Sequence, residues 1–175
     1  AVFVHRVDDL APGLYMLVRH AGHQDRLVEA THNKFRWVRP ADVSDELPLY
    51  LLAEGNFRDK ARAVSCHQDI AGDGFFSLGM IALFEEPIRQ QGAWFYRNLF
   101  WEAGTVGQVL YLEAEAAGVR GTGIGCYFDE PVHDLLGLRN HQFQSLYHFT
   151  VGVTVEDRRF QSLPPYQPAH HTHSA

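Results

Sequence analysis

Cysteine is almost absent from this sequence. The two that occur, Cys66 and Cys126, stand far apart without a CxxC pairing, so they spell neither a disulfide framework nor a zinc knuckle. A reducing cytoplasm is the expected compartment. Basic residues are also scarce, 15 Lys and Arg against 21 Asp and Glu for a net charge of -6, and they are scattered singly or in pairs. A phosphate backbone needs a basic stripe, so nucleic acid is not an expected partner. Long apolar runs are missing too. Nothing approaches the roughly 18 consecutive apolar residues of a membrane span, and the opening "AVFVHRVDDL" has neither the basic start nor the long apolar stretch of a signal peptide. The chain reads as soluble, without membrane contact, and no internal repeat is visible.

What is present suffices for one domain. The 175 residues are 46% hydrophobic, in the range where a single core is buried without staples. The domain is expected over 1–163, with an extended tail over 164–175 inside the closing "SLPPYQPAHHTHSA". "AVFVHRV" and "LYMLVRH" alternate apolar and polar residues around the turn chemistry of "DDLAPG", the pattern of a hairpin near 2–7 and 14–20. "DRLVEA" and "FRWVRPADV" read as short strand or loop, limited by Pro40 and Pro48. "EGNFRDKARAVSCHQDIAG" reads as a helix of three to four turns with Asn56 as N-cap. "GFFSLGMIALFE", dense in aromatic and branched residues, reads as a central strand buried on both faces.

The longest signal is helical. Leu99, Ala103, Val106, Leu110, Ala114 and Ala117 form a continuous apolar stripe that Gly118 stops as a C′ residue. "GTGIGCYF" follows as loop and strand, "DEPVHDLLGL" as a short helix with Asp129 as N-cap and Pro131 in its first turn, and "LYHFTVGVTV" as the last strand. The glycines of "GTGIG" follow a helix and enter a strand, the reverse of the strand-to-helix context in which a dinucleotide fingerprint holds a pyrophosphate. The Rossmann reading is rejected.

Eleven histidines raise the question of a metal. The densest groups, His20 with His23 and the tail's His170, His171 and His173, lack ligands at i, i+4 on a helix with a nearby acid. No metal is expected. His67, beside Cys66, reads as a satisfied helix histidine, because neighbours on a helix point to different faces and form no nucleophile pair.

Taken together and in order, "LAPGLYML", "CHQDIAGDGFFSLGMIAL", "YRNLFWEAGTVGQVLYLEAEAAGV", "GIGCYFDEPVHDLLGL" and "LYHFTVG" closely resemble the flavin-dependent nitroreductase superfamily, in particular its SagB-type branch. The resemblance implies an α+β fold, a nitroreductase-like mixed sheet flanked by helices. It further implies a dimer with FMN in the crevice between subunits, and ping-pong hydride transfer through flavin N5 on a small-molecule or peptide substrate. It places Gly123, Ile124, Gly125 and Cys126 beside the isoalloxazine edge, where glycine lets the main chain approach the ring. It offers Arg158 and Arg159 to the FMN phosphate, with a solvated pair beside Glu156 and Asp157 as the other reading of those arginines. Arg97 faces flavin or substrate, or pairs with Glu102 or another carboxylate; Glu102, Gly104 and Gln108 are assigned to packing and subunit contact.

Two departures shape the expectation. The family's phosphate-gripping arginine-serine-arginine segment is not found, so the N-terminal part, roughly the first third to half of a complete domain, is expected to be missing here; a processed or excised piece of a longer polypeptide is the leading account, with the degenerate half of a tandem protein and pairing with a subunit that carries the rest as the alternatives. Where azoline-oxidizing members carry Lys-Tyr, this chain has "QQGAWFYR", and Gln90 and Gln91 cannot serve as general bases. Catalytic side chains are therefore unassigned. The alternative function is a non-catalytic nitroreductase-like scaffold or peptide-binding module that has lost FMN.

Overall fold

The alternation at the start of the chain does fold into a hairpin. In the computed structural model, which describes residues 1–157 and 159–161, β1 (Val2–Val4) and β2 (Gly13–Leu17) pair antiparallel with Phe3 opposite Leu14. Arg158 and the expected tail over 164–175 lie outside the described residues.

The hairpin belongs to a six-stranded sheet of order β3-β2-β1-β4-β6-β5, completed by β3 (Leu49–Glu54), β4 (Phe76–Leu83), β5 (Arg120–Ile124) and β6 (Phe143–Gly152). Every pairing among the described residues is antiparallel. Around it stand α1 (Gln24–Ala30), α2 (Arg58–Val64), α3 (Ile70–Asp73), α4 (Glu85–Gln91), α5 (Tyr96–Ala116) and α6 (Asp129–Leu136). The α+β class is the one expected, whereas the sheet, expected to be mixed, is antiparallel throughout the described residues.

The main core lies on one face, where Phe3, Leu14, Met16, Leu52, Ile124 and Phe143 meet Leu27, Ala61, Val64, Val132 and Leu136 from the helices. On the other face α5 packs over β5 and β6. Its expected stripe is largely correct: Leu99, Ala103 and Ala114 are buried, Val106 and Leu110 half-buried, and Ala117 exposed past the helix end. Gly118 stops the helix at φ 73°, its N–H bonded to the Glu115 carbonyl and the Val119 N–H to that of Ala114, which satisfies carbonyls the helix end would leave open. β4 is central, between β1 and β6, as expected. Its second face is only half covered, with Phe76, Leu78 and Met80 partly buried, because α5 lies over the neighbouring strands.

Several readings are corrected. "DRLVEA" lies in helix α1, which buries Leu27 alone. "LYLLAE", which carried no assignment from the sequence, is the edge strand β3 directly after Pro48. The single helix expected around residues 56–72 is two, α2 and α3, broken by a corner in which Cys66 and His67 both take left-handed backbone, φ 54° and 58°; His67 is thus not a helix residue. Neither expected N-cap holds its position: Asn56 stands one residue before the N-cap Phe57, its Oδ1 accepting the Arg58 N–H at 3.0 Å, and Asp129 is the first residue of α6 and makes no side-chain cap. The corner is tied by Arg62, whose guanidinium meets Asp59 at 2.8 Å, Asp73 at 2.5 Å and Asp69 at 3.4 Å.

A further correction concerns the cysteines. Cys66 and Cys126 form a disulfide with Cα atoms 5.8 Å apart, joining the α2–α3 corner to the loop between β5 and α6. Closing a loop of 60 residues restricts the unfolded chain by about 4 kcal/mol on a chain-entropy account.

Gly107, inside α5, shows how tightly the layers meet: a Cβ there would lie 2.8 Å from the Tyr147 ring on β6. Helix propensity alone favours Gly→Ala by about 1 kcal/mol. Here Gly107→Ala is expected to lower stability instead, by about 1–3 kcal/mol from overpacking, as read by urea unfolding; a gain in stability contradicts this packing.

Candidate functional site

Among the described residues β5 pairs on one side only, with β6, so alternate N–H groups along it are left outside the ladder. The Gly123 N–H is not free: it donates to the Tyr111 hydroxyl on α5 at 2.7 Å. Nor is its side-chain position free. A Cβ on Gly123 would lie 1.7 Å from the Tyr147 hydroxyl, and one on Gly121 2.7 Å from the Phe149 ring. These two glycines make room for the protein's own aromatic rings. Ile124 turns to the opposite face and is buried in the main core.

Past Ile124 the surroundings change. Gly125 and Cys126 are exposed, and nothing lies within 4 Å of the place a Gly125 Cβ would take. Among the described residues no hydrogen bond engages the Gly125 or Cys126 N–H. This is open main chain with two donors, close in sequence to Phe128, a residue 42% exposed. The four residues proposed from the resemblance therefore divide: Gly125 and Cys126 present main chain outward, while Gly123 and Ile124 are committed to packing. The Cys126 sulfur is held in the disulfide.

The loop is fastened from beneath. The Phe128 N–H donates to the Val64 carbonyl at 2.9 Å, the Gln68 side-chain amide to the Cys126 carbonyl at 3.2 Å, and His67 stands edge-on to Phe128. Tyr127 stacks on His148 with ring centroids 4.5 Å apart and donates to the Ser145 carbonyl at 3.2 Å; burial raises its phenol to about 12. His148, 2% exposed, has Nδ1 3.0 Å from Ser65 Oγ and Nε2 3.2 Å from Ser145 Oγ. Burial lowers its pKa to about 4, so it stays neutral, donating from one nitrogen and accepting at the other. This polar knot was missed in the sequence. A histidine inside the apolar strand "LYHFTVG" was the available signal, since a buried polar group needs partners.

The remaining candidates are dispersed. Arg159 forms a two-point ion pair with Asp157, with bonds of 2.9 and 2.5 Å, on the surface, the solvated arrangement weighed as its other reading. Arg97 lies over the Trp101 ring at 5.1 Å rather than on Glu102, which pairs with Arg19 at 3.4 Å. His20 and His23 stack on each other. Among the described residues no group of three or more His, Cys, Asp or Glu is placed to hold a metal ion, and no helix is long and apolar enough to cross a membrane. A cavity of about 510 Å³ lies at the far end of α5, between Phe76, Leu110, Ala114, Val119 and Val151, away from the open loop.

Solved structures share this architecture. A protein assigned as a nitroreductase from Anabaena variabilis ATCC 29413 superposes with a TM-score of 0.65 at 23% identity, over 87% of this chain and 26% of that one. The chain has a nitroreductase-like fold. A chain of the E. coli microcin synthetase McbBCD complex with truncated pro-MccB17 bound gives 0.54 at 21% identity, over 70% of this chain and 44% of that one. YdfN of Bacillus subtilis, also assigned as a nitroreductase, gives 0.52 at 12% identity, over 89% of this chain and all of that one. This chain thus spans about a quarter of the Anabaena protein and less than half of the microcin synthetase chain. No family model matches it, and no curated protein does.

The His148 knot carries a pH signature. Folded His148 protonates only near 4, against 6.5 unfolded, so the stability present above pH 6.5 is lost as pH falls toward 4, by about 3 kcal/mol at about 1.4 kcal/mol per tenfold in proton affinity. His5, buried against the Ala71 carbonyl, shifts the same way through burial. Urea unfolding at several pH values is expected to show this loss in the natural chain and a shallower one in His148→Gln; equal slopes contradict the assignment.

Proposed function

We propose that this chain is the flavin-facing part of an FMN-dependent oxidoreductase of the SagB-type nitroreductase branch. The observation that carries the reading is the open main chain at Gly125–Cys126, two uncommitted N–H donors at the end of a strand whose preceding glycines are already filled by aromatic rings. That fits a planar heterocycle with acceptor atoms along one edge. When bound, FMN supplies two-electron hydride chemistry in two half-reactions.

The chain's own part is orientation and electrostatics. Gly125 and Cys126 offer N–H groups to the ring edge, and Phe128 supplies an apolar border. Tyr111 pins Gly123, and with it the approach to the loop. Gln90 and Gln91, at the end of α4, hydrogen-bond without exchanging protons near neutral pH, so substrates requiring a base at those positions are disfavoured. Arg159 is occupied by Asp157, and the phosphate is gripped chiefly by a segment outside this chain, contributed by a partner or by more of the same polypeptide. The substrate is a small molecule or a peptide; the fold shared with a peptide-bound synthetase complex supports including the latter.

A second copy is the proposed partner, seated on the outer face of α5. Trp101, Val109 and Leu112 stand 51–63% exposed there, an apolar surface of the kind that marks an interface.

Two outcomes test this. The purified chain with added FMN is expected to retain a yellow chromophore absorbing at about 450 nm that bleaches on reduction, and Gly125→Val to lose it while unfolding within about 0.5 kcal/mol of the natural chain. A colourless natural chain that takes up no FMN, or full uptake by Gly125→Val, overturns the flavin reading. Sedimentation is expected to show a dimer that Trp101→Glu with Leu112→Glu converts to monomer; a monomeric natural chain overturns the subunit reading.

A further inference from the structure

The disulfide sits in an unusual place for a structural staple. It lies outside the hydrophobic clusters, its Cys126 end is exposed and its Cys66 end half-buried. Cys66 and His67 both adopt left-handed backbone without being glycine, a conformation that persists when surrounding structure enforces it. The same corner and loop are also joined by the Phe128–Val64 backbone bond and the Gln68–Cys126 side-chain bond. Opening the disulfide therefore relaxes the corner and loosens the loop without removing every tie, and neither cysteine takes part in the packing of α5 on the sheet.

We propose that Cys66–Cys126 is a thiol–disulfide exchange site for dithiol reductants, entered at Cys126, and that its state sets how firmly residues 125–128 are held. A thiolate of the dithiol attacks Cys126 Sγ, forming a mixed disulfide and expelling the Cys66 thiolate, which takes up a proton. The second thiolate of the reductant then attacks its own sulfur in the mixed disulfide and expels Cys126. Two electrons and two protons pass from the dithiol to the cysteine pair, and the dithiol leaves as a disulfide. Exposed disulfides on constrained backbone are the labile class. The exchange does not require the flavin, so it stands or falls separately from that reading.

The test uses the air-oxidised full chain with dithiothreitol as the probe. Alkylation followed by mass measurement is expected to show no free thiol at the start and two after reduction, at dithiothreitol concentrations that leave the helical circular dichroism intact. Amide hydrogen exchange at His67, Gln68 and Phe128, whose N–H groups are hydrogen-bonded, is expected to rise by about tenfold or more on reduction while residues 99–114 remain better protected, and the Cys66→Ser, Cys126→Ser double variant to reproduce the reduced pattern. In single variants, the thiol left at Cys126 by Cys66→Ser is expected to react with an aromatic disulfide faster than the thiol left at Cys66 by Cys126→Ser. Two free thiols in the air-oxidised chain, reduction only where the helical signal is lost, unchanged exchange at His67, Gln68 and Phe128, or faster reaction at Cys66 would each overturn the proposal.

Discussion

The ring of Tyr147 fixes the geometry on which the rest of this molecule depends. It stands on β6 between two backbones that lack side chains, Gly107 of α5 and Gly123 of β5, either of which would collide with it if given a Cβ. Helix, central sheet and edge strand are thereby locked at a spacing that larger residues would not allow. Tyr111 completes the lock by accepting the outward N–H of Gly123. The long helix approaches a glycine-rich strand because aromatic rings need the space, and the open segment begins only after this packing ends.

That boundary gives the loop its character. On its inner side stands a fully partnered polar knot, His148 with Ser65 and Ser145 beneath the stacked Tyr127, which makes a buried imidazole affordable only as the neutral form. On its outer side, Gly125 and Cys126 are exposed, and among the described residues their main-chain N–H groups have no partner. A rigid underside and an open upper side are what a bound planar group needs, because donors held in place lose little on binding. The same loop is the one the disulfide grips, so redox state and the presentation of those donors share one hinge.

Much of the fold was legible because its elements carry their own signals. The α5 stripe repeats over five turns and ends on a glycine, β4 is dense in branched and aromatic residues, and the first hairpin alternates around turn residues. Where signals were short, the reading failed: α1 buries a single leucine, and β3 begins directly after a proline in a mixed segment. The corner at Cys66 and His67 was invisible because left-handed backbone in non-glycine residues has no sequence mark. The disulfide and the His148 knot depend on partners distant in the chain, Cys126 and Ser65, which only the tertiary fold brings close. Of the residues tied to a flavin by resemblance, Gly123 leaves room for the Tyr147 ring, a contact between distant strands that no local pattern marks.

The most direct test of the account observes the loop amides themselves. With an isotope-labelled chain and FMN titrated in, the account predicts that the Gly125 and Cys126 amide resonances shift while those of Gly121 and Gly123, already enclosed by Phe149, Tyr147 and Tyr111, hold their positions. Shifts centred on Gly121 and Gly123, or none at Gly125 and Cys126, would contradict it.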